Sequence, residues 1–175
     1  EDGLTPRIED LISIKKIVNC PIRVMVRPHS RSFVYSEQDL KEMKKTINLC
    51  NQHNFDGVVF GCLDENMELD IKKIKYLTDL SKPLKVIIHK AIDLTSSTLN
   101  SLKQLIEIKQ INGVLSSGGA DNAEHGLDNL KKMIAISPPE FEVISAGKIT
   151  NENLDYLHEK IQGKFYHGKK IVGKL

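Results

Sequence analysis

The chain has 175 residues, 40% of them hydrophobic and 27% charged, and its 25 basic and 23 acidic residues leave a formal net charge of +2. These values describe a globular chain with enough apolar residues for one sizeable core; they exclude a disordered or fibrous chain, and the interspersed charges offer no basic face for nucleic acid. No apolar run approaches the roughly 18 residues of a membrane helix, and "EDGLTPRIED" has neither the basic start nor the apolar stretch of a signal peptide, so the expectation is a cytoplasmic protein with no membrane partner.

In chain order, Thr5 followed by Pro6 places a cap and a first-turn proline at the start of a helix. A strand is expected at "PIRVMVRP" from Pro21. Ser36 then caps "EQDLKEMKKTINLC", whose Leu40, Met43, Ile47 and Cys50 share one stripe. "DGVVFG" from Asp56 reads as a second strand, and Asp70 caps "IKKIKYL". Four more short runs, "LKVIIHK" from Leu84, "NGVLSSG" from Asn112, "FEVISAG" from Phe141 and "KFYHG" from Lys164, alternate with "STLNSLKQLIEI", "AEHGLDNLKKMI" and "TNENLDYLHEKI". The strands are rich in Val and Ile and continuous rather than alternating, as in a parallel sheet covered on both faces.

Strand starts recur at intervals of about 22 to 35 residues, near the length of a βα unit. "PIRVMVRPHS" lacks the glycine-rich phosphate loop of a doubly wound sheet, so the fold expected is a single α/β domain over residues 1–175, a TIM-type (β/α) barrel. An eight-stranded barrel needs two more strands than these six, which predicts a barrel without its first strand, first helix and second strand.

A barrel of this kind builds its working face from the C-terminal strand ends. Here those ends carry Arg27 and His29, then His89, Lys90 and Asp93, then Ser116, Ser117, Gly118 and Gly119, then Gly147 and Lys148, and finally His167, Gly168 and Lys169. Arg27 suits bidentate capture of a carboxylate or phosphate, His89 can exchange a proton near neutral pH, and Asp93 can orient it. Ser116, Ser117, Gly118 and Gly119 offer backbone N–H groups to an anion, and Gly147, Lys148 and His167 lie on the loops where barrels hold phosphate. The same Arg, His and Asp can instead form a structural ion-pair network.

Three cysteines without CxxC spacing argue for reduced thiols rather than disulfides or structural zinc. Cu(I) prefers soft ligands, and near the working face the sequence offers Cys62, with Met25 inside a strand; Cys20 and Cys50 belong elsewhere. His29, His89 and His167 form an alternative metal set across the barrel mouth.

"VMVRPHSRSFVYS", "DGVVFGCL", "VIIHKAID", "VLSSGGADNAEHGLDNL" and the opening "DGLTP" together resemble, in order and spacing, the CutC-type copper homeostasis protein family. The resemblance implies a TIM-type barrel, a homo-oligomer, a cytoplasmic location and a link to copper tolerance or copper binding. By position it carries over Arg27, His89, Asp93, Ser117 and Gly118. His29 stands where the family has a second Arg, Lys90 and Ile92 replace an Arg and a Phe, and a glycine-rich turn is thinned to Gly147. Two functional readings follow: copper homeostasis with Cys62 as metal ligand, and an enzyme of unknown reaction on a small anionic substrate.

Overall fold

A computed structural model describes residues 3–172. Among them all six apolar runs form strands: β1 Arg23–Met25, β2 Gly57–Phe60, β3 Lys85–Ile88, β4 Ile111–Ser116, β5 Glu142–Ser145 and β6 Phe165–Tyr166. The helices are α1 Ile8–Ile17, α2 Glu37–Gln52, α3 Ile71–Leu80, α4 Thr98–Ile106, α5 Leu127–Ile136 and α6 Leu154–Ile161, and a short 3-10 helix covers Lys90–Leu94. This regular alternation of strand and helix is the α/β, TIM-type (β/α) connectivity expected from the sequence. The chain divides into two compact units, Glu1–Ile87 and Ile88–Leu175.

In the first unit β1 pairs with β2 in parallel, with Arg23 opposite Gly57 and Met25 opposite Val59. The amide of Lys85, the first residue of β3, donates to the Asp56 carbonyl at 3.1 Å. Helix α2 starts where its sequence says it should. The Ser36 hydroxyl accepts from the Asp39 amide at 3.3 Å, and the Asp39 carboxylate accepts from the Ser36 amide at 2.8 Å, a reciprocal capping box. The stripe of Leu40, Met43, Ile47 and Cys50 is buried, each large apolar side chain contributing about 1.5–3 kcal/mol by leaving water. Asp70 caps α3 by accepting from the Lys73 amide at 3.0 Å.

The start of α1 differs from expectation. Arg7, not Thr5, holds the cap position, with no side-chain cap bond. The Thr5 hydroxyl accepts from the Arg27 amide at 2.8 Å, and the Thr5 amide donates to the Arg27 carbonyl at 3.0 Å. Those bonds satisfy the chain just beyond β1, and the hydroxyl cannot also cap a helix two residues later.

In the second unit β4 and β5 pair in parallel from Gly113 opposite Glu142 to Ser116 opposite Ser145, and β5 continues to β6 with Ser145 opposite Tyr166. Leu102 and Leu105 of α4, Leu130 and Met133 of α5, and Leu157 and Ile161 of α6 are buried. Helix α5 begins four residues later than "AEHGLDNL" suggests, with Gly126 at its cap. That delay has a steric reason: a Cβ at Gly126 would lie 1.8 Å from the Ser117 carbonyl oxygen, so the chain presses its backbone there against the end of β4.

Candidate functional site

The second unit carries the denser polar cluster. β3 ends at Ile88, and the chain turns at once through the 3-10 helix. His89 begins that turn, and its Nδ1 accepts from the Ala91 amide at 3.2 Å. Acceptance requires an unprotonated Nδ1, which places the ring proton on Nε2. The ring is buried, with 3% of the residue exposed, so it cannot serve as a solvent-facing base through Nδ1.

Asp93, four residues on, points its carboxylate at the end of β4. Oδ1 accepts from the Ser116 hydroxyl at 2.5 Å and the Gly119 amide at 2.9 Å; Oδ2 accepts from the Ser117 amide at 3.0 Å. Gly118 makes the wrap possible, since its φ is +74° and a Cβ there would sit 2.5 Å from the Gly126 carbonyl oxygen. Asn129 of α5 donates to the Gly118 carbonyl at 2.7 Å and holds the turn from behind. The amides expected to cradle an external anion at Ser117 and Gly119 are thus turned on the chain's own Asp93.

Lys90 completes the cluster. Its ammonium donates to Asp93 Oδ2 at 2.7 Å and to the Ser117 hydroxyl. Asp93 is buried at 6% side-chain exposure, whereas Lys90 keeps 38%. The Lys90 ammonium is thus held between the Asp93 carboxylate and the Ser117 hydroxyl. Sequence reasoning placed Lys90 on this face without giving it a role; the signal was its (i, i+3) spacing from Asp93 on a helical turn.

The remaining residues of this group follow β5 and β6. Gly147, with φ +106°, follows β5, and the Ala123 amide donates to its carbonyl at 3.0 Å. Lys148 and His167 are exposed, and no hydrogen bond among the described residues joins either to Asp93.

Arg27 and Cys62 belong to the first unit. The Arg27 guanidinium lies 4.6 Å from the centre of the Phe33 ring, and its Nη2 donates to the Ser30 carbonyl at 3.2 Å, so the fork is anchored by stacking and by backbone. Cys62 is fully buried, and burial, with a smaller contribution from Asp70, pushes its thiol up to about 12. Copper requires the thiolate. Among the described residues, no three His, Cys, Asp or Glu side chains lie close enough to hold a metal ion. A neutral, sealed thiol with no such companions does not fit a copper centre. Cys50 is likewise buried, with its thiol raised to about 11 by desolvation, and Cys20 is exposed.

Comparison with known proteins places these features in a family. The model described as CutC family matches residues 1–172. A CutC protein of Yersinia pseudotuberculosis serotype O:1b (strain IP 31758) is 35% identical over 154 residues, 86% of this chain and 60% of that protein. The copper homeostasis protein cutC homolog of Homo sapiens is 32% identical over 167 residues, 95% of this chain and 61% of its own length. The chain therefore spans about three fifths of the curated relatives it matches. Among solved structures, a CutC of Streptococcus agalactiae superposes with a TM-score of 0.90 at 24% identity, covering 97% of this chain and 83% of that one. A DHDPS of Cyanidioschyzon merolae superposes at 0.63 with 11% identity, over 92% of this chain and 51% of that one. Both structural likenesses show the fold.

Proposed function

This chain belongs to the CutC family, and from that premise we propose that it serves copper homeostasis in the cytoplasm by binding a small anionic molecule at Lys90, not by holding copper at Cys62. The family's name supplies the copper connection, and its relatives are named for copper homeostasis. The observation that carries the ligand class is the Lys90 ammonium, pinned by Asp93 and Ser117 while over a third of its side chain stays exposed. Two of its three N–H donors are occupied, and the third is available to an anion at low cost in side-chain entropy, because the stem is already ordered. Lys148, just beyond β5, is a further exposed cation of the same unit.

The test is a pair of titrations on the 175-residue chain. Inorganic phosphate and malonate are titrated calorimetrically into the protein and into Lys90→Gln; in parallel, Cu(I) is partitioned against a competing chelator for the protein and Cys62→Ser. Lys90→Gln is expected to weaken anion binding by about tenfold, the loss of one charge-assisted hydrogen bond, and Cys62→Ser to leave Cu(I) partitioning unchanged. Anion binding indifferent to Lys90, or Cu(I) affinity that falls tenfold with Cys62, overturns the reading.

A further inference from the structure

Ser117, Gly118 and Gly119 form the turn that meets Asp93, and its two glycines have positive φ, +74° at Gly118 and +78° at Gly119. Glycine imposes little conformational preference of its own, so a turn built on two of them takes its position from what holds it on either side. Towards Asp93 the hold comes from the Ser117 and Gly119 amides. Towards the helices it comes from Asn129, in the first turn of α5. Its Nδ2 donates to the Gly118 carbonyl at 2.7 Å and to the Thr98 hydroxyl at 2.6 Å. The carbonyl can only accept, so the amide nitrogen and not its oxygen faces the turn. Thr98 is buried and opens α4, so one side-chain amide ties the turn to α4 and α5 together. A Cβ at Gly119 would lie 3.1 Å from Thr98 Cγ2 and 3.8 Å from Asn129 Nδ2; the turn rests directly on this pair.

The Lys90 ammonium inherits that position. It donates to Asp93 Oδ2 at 2.7 Å and to the Ser117 hydroxyl. The same Asp93 oxygen accepts from the Ser117 amide at 3.0 Å and from the Ser117 hydroxyl at 3.1 Å. A displaced turn therefore moves both partners of the ammonium at once. Among the described residues no hydrogen bond joins Asn129 to Lys90 or Asp93, so any influence it has on the ammonium passes through the turn.

We propose that Asn129 is a positioning residue for the anion site at Lys90: by fixing the Gly118–Gly119 turn against α4 and α5, it sets where Ser117 and Asp93 hold the ammonium. The inference rests on the reading of Lys90 as the anion's contact. It goes further in assigning the geometry of that contact to a residue that does not touch the ligand.

The experiment is a calorimetric titration of inorganic phosphate into the 175-residue chain, Asn129→Ala, Lys90→Gln and the double variant, with a thermal melt and a ¹H–¹⁵N spectrum of each. Asn129→Ala is expected to weaken phosphate binding about fivefold, as for one lost hydrogen bond. It should add nothing in the Lys90→Gln background, because residues that act through one another are not additive. The Gly119 amide resonance, which reports the bond to Asp93, should shift in Asn129→Ala. Thr98→Val, which removes only the acceptor on α4, should weaken binding about twofold and carries the test if Asn129→Ala does not fold. Phosphate affinity that stays at the parent value in these variants while the melting temperature falls marks a merely structural hydrogen bond and overturns the proposal. An Asn129→Ala loss that is equal in both backgrounds overturns it as well. A parent that binds no phosphate removes the Lys90 reading and this inference with it, whereas binding that falls with Lys90→Gln but not with Asn129→Ala removes this inference alone.

Discussion

Replacing Asp93 by Ala removes the acceptor on which five donors converge: Ser116 Oγ at 2.5 Å, Ser117 N at 3.0 Å, Ser117 Oγ at 3.1 Å, Gly119 N at 2.9 Å and Lys90 Nζ at 2.7 Å. The exposed donors recover most of their loss by turning to water. Lys90 is over a third exposed and the Gly119 amide is at the surface, so each counts for under about 1 kcal/mol. Ser116 and Ser117 are fully buried; each of their donors, left without an acceptor, costs about 1–3 kcal/mol. The expected loss is about 3–5 kcal/mol, the range for breaking one side of a buried charged network. With an m-value near 2 kcal/mol/M in urea, the far-UV dichroism midpoint falls by about 2 M. Asp93→Asn retains one acceptor oxygen but sets an amide N–H₂ against the Lys90 ammonium, and about 2 kcal/mol is expected. Lys90→Met, which leaves the buried donors paired, should cost less than either. Midpoints for Asp93→Ala within about 0.5 kcal/mol of the parent would refute the reasoning, because the network would then be no more than a surface arrangement.

Three further outcomes follow. Ser36→Ala should cost about 1 kcal/mol through loss of the α2 cap; because the Ser36 donors hold the Asp39 carboxyl below its ordinary 3.8, that contribution is full above this value and fades as the pH falls through the lower folded value, so the gap between parent and variant in urea midpoint should narrow below about pH 4. Iodoacetamide at about pH 8 should label one thiol per native chain, Cys20, and three in denaturant, since thiols raised to about 11 and 12 hold orders of magnitude less thiolate than an exposed one; mass spectrometry finding Cys62 labelled at the rate of Cys20 would contradict its burial. Gly126→Ala places a Cβ at 1.8 Å from the Ser117 carbonyl oxygen, and an overpacking cost of about 3 kcal/mol should lower the melting temperature by roughly 10 °C.

The parts of the fold that the sequence makes legible are those governed by neighbours along the chain. Apolar runs bounded by turns gave all six strands, and the 3.6-residue spacing of Leu40, Met43, Ile47 and Cys50 gave the buried face of α2. Caps were legible where the partner lies three residues away, as at Ser36 and Asp70. Thr5 misled because its hydroxyl serves Arg27, 22 residues on, a bond that no local pattern announces. Asp93 and the "SSGG" turn were both singled out, but their pairing spans 24 residues, and the serine and glycine amides that looked prepared for a ligand bind the chain's own carboxylate. The cation left partly exposed there is the one the sequence left without a role, Lys90.

This exchange bears on how the site works. An anion hole filled by a bound metabolite empties when the metabolite leaves, whereas one filled by Asp93 stays ordered and neutralised whatever the ligand state. The charge is handed to Lys90, because the carboxylate that satisfies the amides also fixes the ammonium at 2.7 Å. A cation held this way is preorganised, so under the proposed reading an anion would be met by the third N–H with little loop ordering. The resembling family has Arg at this position, and its fork would reach both ligand and Asp93 through separate nitrogens. Lys90→Arg should therefore preserve or strengthen phosphate binding where Lys90→Gln loses it, and a calorimetric series in which Arg behaves like Gln would show that the pocket reads the shape of the ammonium and not its charge.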